Sequence, residues 1–377
     1  MAQIAICREA AAKAGRSVRF VVFGTQGELS YGLDRDVTIG PRISIKEILR
    51  GRSAFVDALG QCEVVLDIGE GDSFADIYGA RRFVFQAVSK WMVIRRRIPL
   101  VLCPQTLGPF NRPASRWIAA LLMRRARRVF VRDQPSAEVF RCLVPGGRVE
   151  QVSDVAFRLP YRTPAVDASP ARVRIGLNVS GLLYSGGYAG SNQFGLRLDY
   201  RELMRRLLQI WTAADGVEVW LIAHVVSDAV PRDDDRIAIA ELAAEFPVAR
   251  VAPGFRSPVD AKSFIATMDF MVGARMHACI AACSAGVAVA PLAYSRKFIG
   301  LFRSLGYDTV VDMAALDGDE ALAAVQAAYA RRVALGAQAQ AATRAAHRLL
   351  HDYEEQLAEL FAVVDSSEVP HAEARAA

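Results

Sequence analysis

The stretch FMVGARMHACIAACSAGVAVAPLAY, residues 270–294, is almost entirely apolar, yet it contains one charged residue, Arg275, and one histidine, His277. It is long enough to cross a bilayer, but Arg275, Gly286 and Pro291 interrupt it. Two buried strands around a short helix fit this pattern better than a membrane span. The stretch therefore predicts a strand–helix–strand unit of a parallel sheet that is buried on both faces.

Arg275 and His277 fall at the point of that unit where ligands bind. The unit is predicted to contain a strand at 268–272, a helix at 276–284 and a strand at 287–293. In open α/β sheets the ligand lies outside the carboxyl ends of the strands, where helix N-termini favour anions. Arginine adds a bidentate fork for phosphate or carboxylate, and histidine exchanges protons near neutral pH. The alternative is that both side chains only hold the fold together, through an Arg–carboxylate pair and a core hydrogen bond.

Strands and helices alternate along the rest of the chain, which predicts an α/β fold with parallel, doubly wound sheets. In the first half we predict helices at 4–14, 45–59, 73–94, 113–126 and 135–142, and strands at 17–23, 63–68, 99–103 and 128–132. In the second half we predict strands at 174–179, 217–223 and 248–251, and helices at 199–214, 234–245 and 260–266.

The alternation divides into two halves at the stretch 158–173, which is rich in Pro, Ala and Arg and has no apolar periodicity. The 377 residues suit two domains, and we predict two Rossmann-like domains that face a cleft. The predicted boundaries are an N-terminal domain at 1–160, a C-terminal domain at 172–317, a helical segment at 318–365 interrupted at Gly336, and a disordered tail at 366–377. A doubly wound domain normally begins with a strand, so the first strand is predicted to be missing.

The charge of the chain indicates which classes of molecule it could bind. The net charge is +6, and much of the excess lies at 81–97 and 124–132. These segments are either solvated helix faces or surfaces for a phosphorylated substrate or an anionic membrane. No nucleic-acid-binding motif is present.

Six cysteines without a CxxC pattern indicate reduced thiols in a cytosolic protein, and the spacing of Cys279 and Cys283 is not a zinc pattern. The first residues form an amphipathic helix and not a signal peptide.

Polar side chains also follow other predicted strands. Arg296 and Lys297 come after the strand at 287–293, either as a second anion clamp or as solvated charges. The turn DIGEGDSFAD carries Glu70, Asp72 and Asp76. These carboxylates could bind sugar hydroxyls, act as a base or, for Asp72, cap the following helix. The turn is not a dinucleotide fingerprint, because a phenylalanine stands where the third glycine belongs.

Three further residues end strands in the two halves. Gln105 follows the strand at 99–103 and could bind a hydroxyl group or only form a turn. Asn178 and His224 each end a strand of the second half. Polar groups at the carboxyl ends of several strands predict one ligand cleft.

Four stretches together resemble the polysaccharide pyruvyl transferase family. GARMHACIAACSAGVAVAPLAYSRKF is similar to the family's Arg-x-His motif followed by a small-residue helix, a strand and Tyr-x-x-Lys. GEGDSFAD resembles its Gly-Gly-Gly-x-x-x-x-Asp turn, PQTLGPF its Gln-Gly-x-Gly-Pro loop, and VRDQPS its Arg-Asp-x-x-Ser element. Glu70 and Thr106 replace glycines of the family pattern, and the family's opening strand and Gly-Asn-x-Gly-Asp loop are not found.

The resemblance implies a GT-B-like fold whose C-terminal helix returns to the first domain. It implies transfer of a pyruvyl group from phosphoenolpyruvate to a sugar of a bacterial surface polysaccharide, or of its lipid-linked precursor, as a ketal. Arg275 would hold the donor with Lys297 and Arg296, and His277 would act in acid–base catalysis.

Asp76, Gln105, Glu70, Asp72, Asn178 and His224 are candidates for the acceptor side. No cofactor and no metal are expected, and the location is predicted to be cytoplasmic, with contact to the inner face of the membrane. The alternatives are a GT-B glycosyltransferase that uses a nucleotide sugar and a catalytically silent binding protein.

Overall fold

The computed structural model describes most of the chain and divides it into two compact units. The described residues are 1–24, 34–69, 73–162 and 172–364. The first unit comprises Met1–Val155 together with Arg348–Ala377, and the second comprises Ala156–His347. The last long helix of the chain therefore begins in the second unit and ends in the first.

Unit 1 is a parallel α/β unit. Its strands are β1 (Phe20–Val22), β2 (Val37–Ile39), β3 (Val65–Asp67), β4 (Ser73–Phe74), β5 (Leu100–Leu107), β6 (Arg128–Val131) and β7 (Glu150–Gln151). Its helices are α1 (Ala2–Lys13), α2 (Ile45–Leu49), α3 (Ala54–Leu59), α4 (Ala80–Arg95), α5 (Pro113–Arg125) and α6 (Gln134–Leu143). The main sheet has the order β3-β5-β6-β7 with β4 paired to β5, while β1 and β2 form a separate parallel pair. All eight residues of β5 are buried, as expected for the central strand of a sheet covered on both faces.

Unit 2 is a second parallel α/β unit with a six-stranded sheet. Its strands are β8 (Val173–Asn178), β9 (Val217–Ile222), β10 (Arg250–Val251), β11 (Phe270–Gly273), β12 (Ala288–Ala293) and β13 (Val311–Asp312). Its helices are α7 (Gly181–Tyr184), α8 (Tyr200–Thr212), α9 (Asp235–Glu245), α10 (Pro258–Ile265), α11 (Met276–Ser284), α12 (Arg296–Ser304) and α13 (Gly318–Ala330), followed by the long helix α14 (Arg332–Val363).

In the sheet of unit 2 the order in which strands are added changes sides at β8. The strand order is β10-β9-β8-β11-β12-β13, so the chain adds β9 and β10 on one side of β8 and then crosses to add β11 to β13 on the other. The stretch 270–294 forms β11, α11 and β12, and every residue of the two strands is buried. The predicted class, parallel α/β sheets in two Rossmann-like domains, is confirmed.

Three details of the predicted elements are wrong. The predicted helix 45–59 is two helices, because Gly51 has a φ of +68° and ends the first one. The predicted helix 73–94 begins only at Ala80, since Ser73 and Phe74 pair with the end of β5. The last two helices are separated at Arg331 and not at Gly336.

Gly336 lies inside α14, where the turn after α11 packs against the helix. A Cβ atom there would lie 3.5 Å from the carbonyl oxygen of Gly286, which is an ordinary van der Waals contact. Among the described residues no helix is long and apolar enough to cross a membrane.

Candidate functional site

The topology of unit 2 points to the carboxyl ends of β8 and β11 as the place for a ligand. The loops that follow these two neighbouring strands lead in opposite directions, because the order of the sheet reverses between them. Such a reversal leaves a crevice at the carboxyl edge of an open α/β sheet, where ligands bind. Asn178 ends β8, and Arg275 stands two residues after the end of β11.

Asp235 holds the loops around this crevice together. It is the first residue of α9 and is completely buried. Its Oδ2 accepts hydrogen bonds of 2.9 Å from the backbone N–H groups of His224 and Val225, in the loop after β9. Its Oδ1 accepts a third bond of 2.9 Å from the N–H of Gly181, after β8. One carboxylate thus fixes two loops of the sheet edge.

The same carboxylate orients Arg275. Asp235 Oδ1 accepts hydrogen bonds from Arg275 Nε at 3.1 Å and from Nη2 at 2.7 Å. Nη2 also donates to the carbonyl of Asp233 at 2.7 Å, and it lies 2.7 Å from that residue's Oδ1 without hydrogen-bond geometry. Burial would lower the pKa of Arg275, but the two carboxylates outweigh it and raise the pKa above its ordinary value. The Arg–carboxylate pair left open by the sequence is therefore present.

The Nη1 atom of the Arg275 guanidinium nevertheless remains available to a ligand. Nη1 makes no hydrogen bond to any described residue. It is also not among the polar atoms that are both unpartnered and shielded from solvent. It therefore reaches solvent, although the whole residue is only 8% exposed. The carboxylates hold Nε and Nη2 on the inner side, so the two N–H groups of Nη1 point where an anion could accept them.

The position of Arg275 is set by its backbone as well. Its N–H donates to Asn178 Oδ1 at 2.9 Å, and Asn178 Nδ2 donates to the carbonyl of Ile222 at 3.0 Å. Asn178 is completely buried. Its amide therefore joins the ends of β8, β9 and β11 and serves to position Arg275, with no atom left at the surface for an acceptor.

Two histidines of different character flank Arg275. His277 is exposed and lies in the first turn of α11, directly after the N-cap Arg275. His224 is half-buried, and its Nδ1 has neither solvent nor a partner in the part of the chain that the structure describes. Burial, together with the positive charges of His277 and Arg275, lowers the pKa of His224 to about 3. His224 is therefore a neutral imidazole at physiological pH, whereas His277 is exposed to solvent.

Two more basic residues begin the next helix along this edge. Ser295 is the N-cap of α12, and Arg296 and Lys297 are its first two residues. The Lys297 side chain is half-buried. Because α11 and α12 both begin after neighbouring parallel strands, their N-termini lie at the same edge of the sheet and favour negative charge.

In unit 1 the predicted acceptor residue Asp76 closes a turn. Its carboxylate accepts hydrogen bonds of 2.9–3.0 Å from the N–H groups of Asn111 and Arg112, immediately before α5. Burial would raise the pKa of Asp76, but these bonds and one from Ser115 outweigh it and lower the pKa below the ordinary value. Asp76 is a buried, ionised anchor for the loop that follows β5.

Gln105 lies in a buried polar cluster that the sequence did not predict as a whole. Its Nε2 donates to the carbonyl of Asp67 at 3.0 Å, and its Oε1 has no partner among the described residues. The Asp67 carboxylate forms an ion pair of 2.9 Å with Lys90, which is 1% exposed. Gly69 has a φ of +60°, and a Cβ there would lie 2.2 Å from Gln105 Oε1. The turn therefore needs glycine, and it brings the backbone against the unpartnered amide oxygen.

Glu70 and Asp72 lie outside the described residues. Asp133 is the N-cap of α6, where its Oδ1 accepts from the N–H of Ser136 at 2.8 Å. Within the described ranges, no group of three or more His, Cys, Asp or Glu side chains could hold a metal ion.

Three residues of these clusters were not predicted from the sequence: Asp233, Asp235 and Lys90. The run PRDDDR did carry a signal, because three consecutive aspartates at the start of a helix supply more carboxylates than one N-cap requires. Lys90 shares the buried face of α4 with Phe83, seven residues earlier, and a charged residue on an apolar face needs a partner.

Comparison with known proteins assigns this chain to a family. A family model described as polysaccharide pyruvyl transferase matches residues 2–296, which is more than half of the chain. The match includes β11, α11 and both Arg275 and His277. The search of curated proteins returned no match.

Solved structures with similar folds include several enzymes of sugar metabolism. Sucrose-phosphate synthase from Thermosynechococcus elongatus has a TM-score of 0.59 at 13% identity, covering 95% of this chain and 92% of that chain. HepE of Anabaena, in complex with UDP and glucose, has a TM-score of 0.55 at 14% identity and 95% coverage of both chains. UDP-GlcNAc 2-epimerase from Neisseria meningitidis, bound to UDP-GlcNAc, has a TM-score of 0.55 at 9% identity, covering 95% and 98%. These likenesses show the GT-B-like fold alone.

Proposed function

Because the chain belongs to the polysaccharide pyruvyl transferase family, we propose that it transfers the pyruvyl group of phosphoenolpyruvate to a saccharide as a ketal. The acceptor is a sugar of a bacterial surface polysaccharide or of its lipid-linked precursor, and the reaction takes place in the cytoplasm. The observation that carries the proposal is the outward-facing Nη1 of Arg275 beside the exposed His277, at the N-terminus of α11.

Arg275 binds the phosphate or the carboxylate of the donor through Nη1. Asp233 and Asp235 carry two negative charges against its one, so the guanidinium alone does not attract an anion. The N-termini of α11 and α12, together with Lys297, supply the remaining positive potential, and Arg296 remains a predicted donor-binding residue. The aspartates serve a different purpose, because they fix the direction of Nη1 before the donor arrives.

His277 transfers the proton that the reaction requires. A saccharide hydroxyl adds to C2 of phosphoenolpyruvate while protonated His277 gives a proton to C3, which becomes a methyl group, and the proton of that hydroxyl returns to His277. A second hydroxyl then attacks C2, the C2–O bond to phosphate breaks, and inorganic phosphate leaves with the proton of the second hydroxyl. His224 is neutral, so it places no additional positive charge next to His277 and can orient a ligand by hydrogen bonding.

The acceptor residues belong to unit 1 in this proposal. Gln105 is the predicted acceptor residue of the buried cluster, and its Oε1 has no hydrogen-bond partner among the described residues. Asp76 acts indirectly, by anchoring the loop between β5 and α5. Glu70 and Asp72 remain predicted acceptor residues.

Calorimetric titration with phosphoenolpyruvate tests the donor. Arg275→Ala is a poor variant, because it strands Asp233 and Asp235 without a counter-charge at a cost of about 3–5 kcal/mol. Arg275→Lys keeps the charge and loses the fork, so we expect it to weaken donor binding by about 10- to 100-fold. His277→Gln should bind the donor about as tightly as the wild type, and His351→Gln, which removes another exposed histidine, is the matched control.

Catalysis is followed as release of inorganic phosphate from phosphoenolpyruvate with a panel of p-nitrophenyl glycosides. We expect His277→Gln to lower this rate by about 10²–10⁴-fold, while the His351→Gln control keeps the wild-type rate. Donor binding that Arg275→Lys leaves unchanged would contradict the site. An unchanged rate in His277→Gln would contradict its role as the acid.

Glycosyl transfer from a nucleotide sugar is the alternative. In its favour, unit 2 has a cavity of about 470 Å³ under the glycine-rich loop after α7, lined by Tyr184, Phe194 and Tyr200. Titration with UDP-glucose separates the two functions. Binding of UDP-glucose without binding of phosphoenolpyruvate would favour glycosyl transfer, and a folded protein that binds neither would favour the silent binding protein.

A further inference from the structure

The surface formed by α4 and α5 in unit 1 has a charge that the proposed reaction does not use. Between Asp76 and Asp133 the chain has no acidic residue and thirteen Lys or Arg residues. This segment alone therefore carries a charge of +13, against +6 for the whole chain, so the rest of the protein has a net charge of −7. The asymmetry is a property of one part of the fold and not of the average composition.

Most of these basic side chains are exposed and unpaired. Lys90 and Arg132 are buried in ion pairs, and Arg128 pairs with Glu359. Nine others are exposed and form no ion pair within the described residues: Arg81, Arg95, Arg96, Arg97, Arg112, Arg116, Arg124, Arg125 and Arg127. An ordinary solvated helix would carry carboxylates between such residues, as many surface helices do.

The two helices also expose apolar and aromatic side chains next to the arginines. On α4 the exposed positions Arg81, Val84, Trp91 and Arg95 follow helical spacing and lie on one side of the helix. Val84 is 44% exposed and Trp91 38%. On α5, which packs beside α4, Trp117 is 68% exposed.

We propose that this surface, α4 with α5, docks the protein on a bilayer that contains anionic lipids. Tryptophan is the side chain that favours the bilayer interface, because its ring is apolar and its N–H is polar. Exposed arginines are attracted to anionic headgroups and hold the helices parallel to the surface. Charge complementarity selects this occupant, because a second copy of the chain would bring an equally positive surface and be repelled.

The experiment is flotation of the full-length protein with vesicles. One set contains phosphatidylcholine alone, and the other replaces about one third of it with phosphatidylglycerol. The surface variant is Arg95→Gln, Arg116→Gln and Arg125→Gln, and a second variant is Trp117→Ser. Circular dichroism during thermal unfolding shows whether each variant keeps its fold.

The matched control removes the same charge elsewhere. Arg148, Arg331 and Arg344 are exposed, form no ion pair within the described chain and lie outside α4 and α5, so their replacement by glutamine changes the net charge equally. If vesicle affinity depends on net charge alone, both triple variants lose it. If it depends on the surface formed by α4 and α5, only the surface variant loses it.

We expect the wild type to bind the vesicles with phosphatidylglycerol, not the neutral ones, and to be released by salt. The surface variant should lose on the order of 100-fold in vesicle affinity, since each of the three arginines contributes about 1 kcal/mol, or about fivefold, near an anionic surface. Trp117→Ser should lose on the order of tenfold, and the control triple should match the wild type.

Several outcomes would overturn the proposal. They are no binding by the wild type, equal binding of both vesicle sets, equal losses in the two triple variants, and no loss in the surface variant. A single-stranded oligonucleotide that binds at physiological salt while vesicles do not would identify the surface as a nucleic-acid site instead.

Discussion

The carboxylate of Asp235 gives the most direct test of the site's architecture, through Asp235→Asn. This carboxylate accepts backbone N–H groups from three residues and two bonds from Arg275. An asparagine has one acceptor oxygen, so its NH₂ group must face either the two donors after β9 or those of Gly181 and Arg275. Each buried donor left without a partner costs about 1–3 kcal/mol.

The substitution therefore leaves two donors unsatisfied and weakens one ion pair, which lowers the free energy of unfolding by about 3–5 kcal/mol. For a unit of this size each kcal/mol lowers Tm by about 2–4 °C, so we expect a fall of about 10 °C. Phosphoenolpyruvate binding should weaken at the same time, because Arg275 loses the contact that aims Nη1.

The assay is thermal unfolding followed by circular dichroism, with Asp228→Asn as the matched control. Asp228 belongs to the same connection between β9 and α9, but its side chain is 93% exposed, and it pairs with Arg236 at the surface. Such a pair contributes about 0–1 kcal/mol. If Asp235→Asn unfolds within about 2 °C of Asp228→Asn, the carboxylate does not hold these loops and the reasoning fails.

Three further predictions concern buried groups of both units. Gly69→Ala should lower the free energy of unfolding by at least about 1 kcal/mol more than Gly146→Ala, because both have positive φ but only the first places a Cβ against Gln105; equal losses in chemical denaturation would contradict this contact. Lys90→Met should cost about 3 kcal/mol by the same measurement, since the half-buried carboxylate of Asp67 loses its counter-charge, and a loss below about 1 kcal/mol would count against the pair. The pKa of His224 is about 3 in the folded state, below its ordinary value of 6.5. As the pH falls below 6.5 the unfolded chain therefore binds a proton that the folded chain does not bind, and the free energy of unfolding decreases. Between pH 6.5 and about 4.5 the wild type should lose about 2 kcal/mol more than His224→Gln, and parallel pH profiles of unfolding would rule this out.

Local patterns predicted the parts of the fold whose structure depends on near neighbours in sequence. Strands β8, β9, β11 and β12 were predicted to within two residues at each end, because long buried runs bounded by glycine or polar residues read as parallel strands. The helix α11 was predicted with its observed bounds. Elements of two residues, such as β4 and β7, were not predicted, since so short a stretch has no periodicity of its own.

The errors in the helices have tertiary causes. Ser73 and Phe74 have no strong strand signal, and only the extended end of β5 beside them makes them a strand. Gly336 was predicted to interrupt the last helix because glycine disfavours helices, but its cost of about 1 kcal/mol is outweighed by the packing of the buried side chains of α14, such as Leu335 and Ala339.

The sequence by itself determined the parallel α/β class, the position of Arg275 and His277 at a strand's carboxyl end, and the basic segment that became α4 and α5. These follow from the period of apolar residues, the edge rule for α/β sheets and the count of charges. Tertiary structure alone decided how Arg275 is held. Its partner Asp235 is 40 residues away, and Gly181, which shares the same carboxylate, is 54 residues from Asp235. Groups so distant in sequence meet only when β8, β9 and β11 pair side by side. A buried guanidinium must find its carboxylates among whatever that pairing brings within reach.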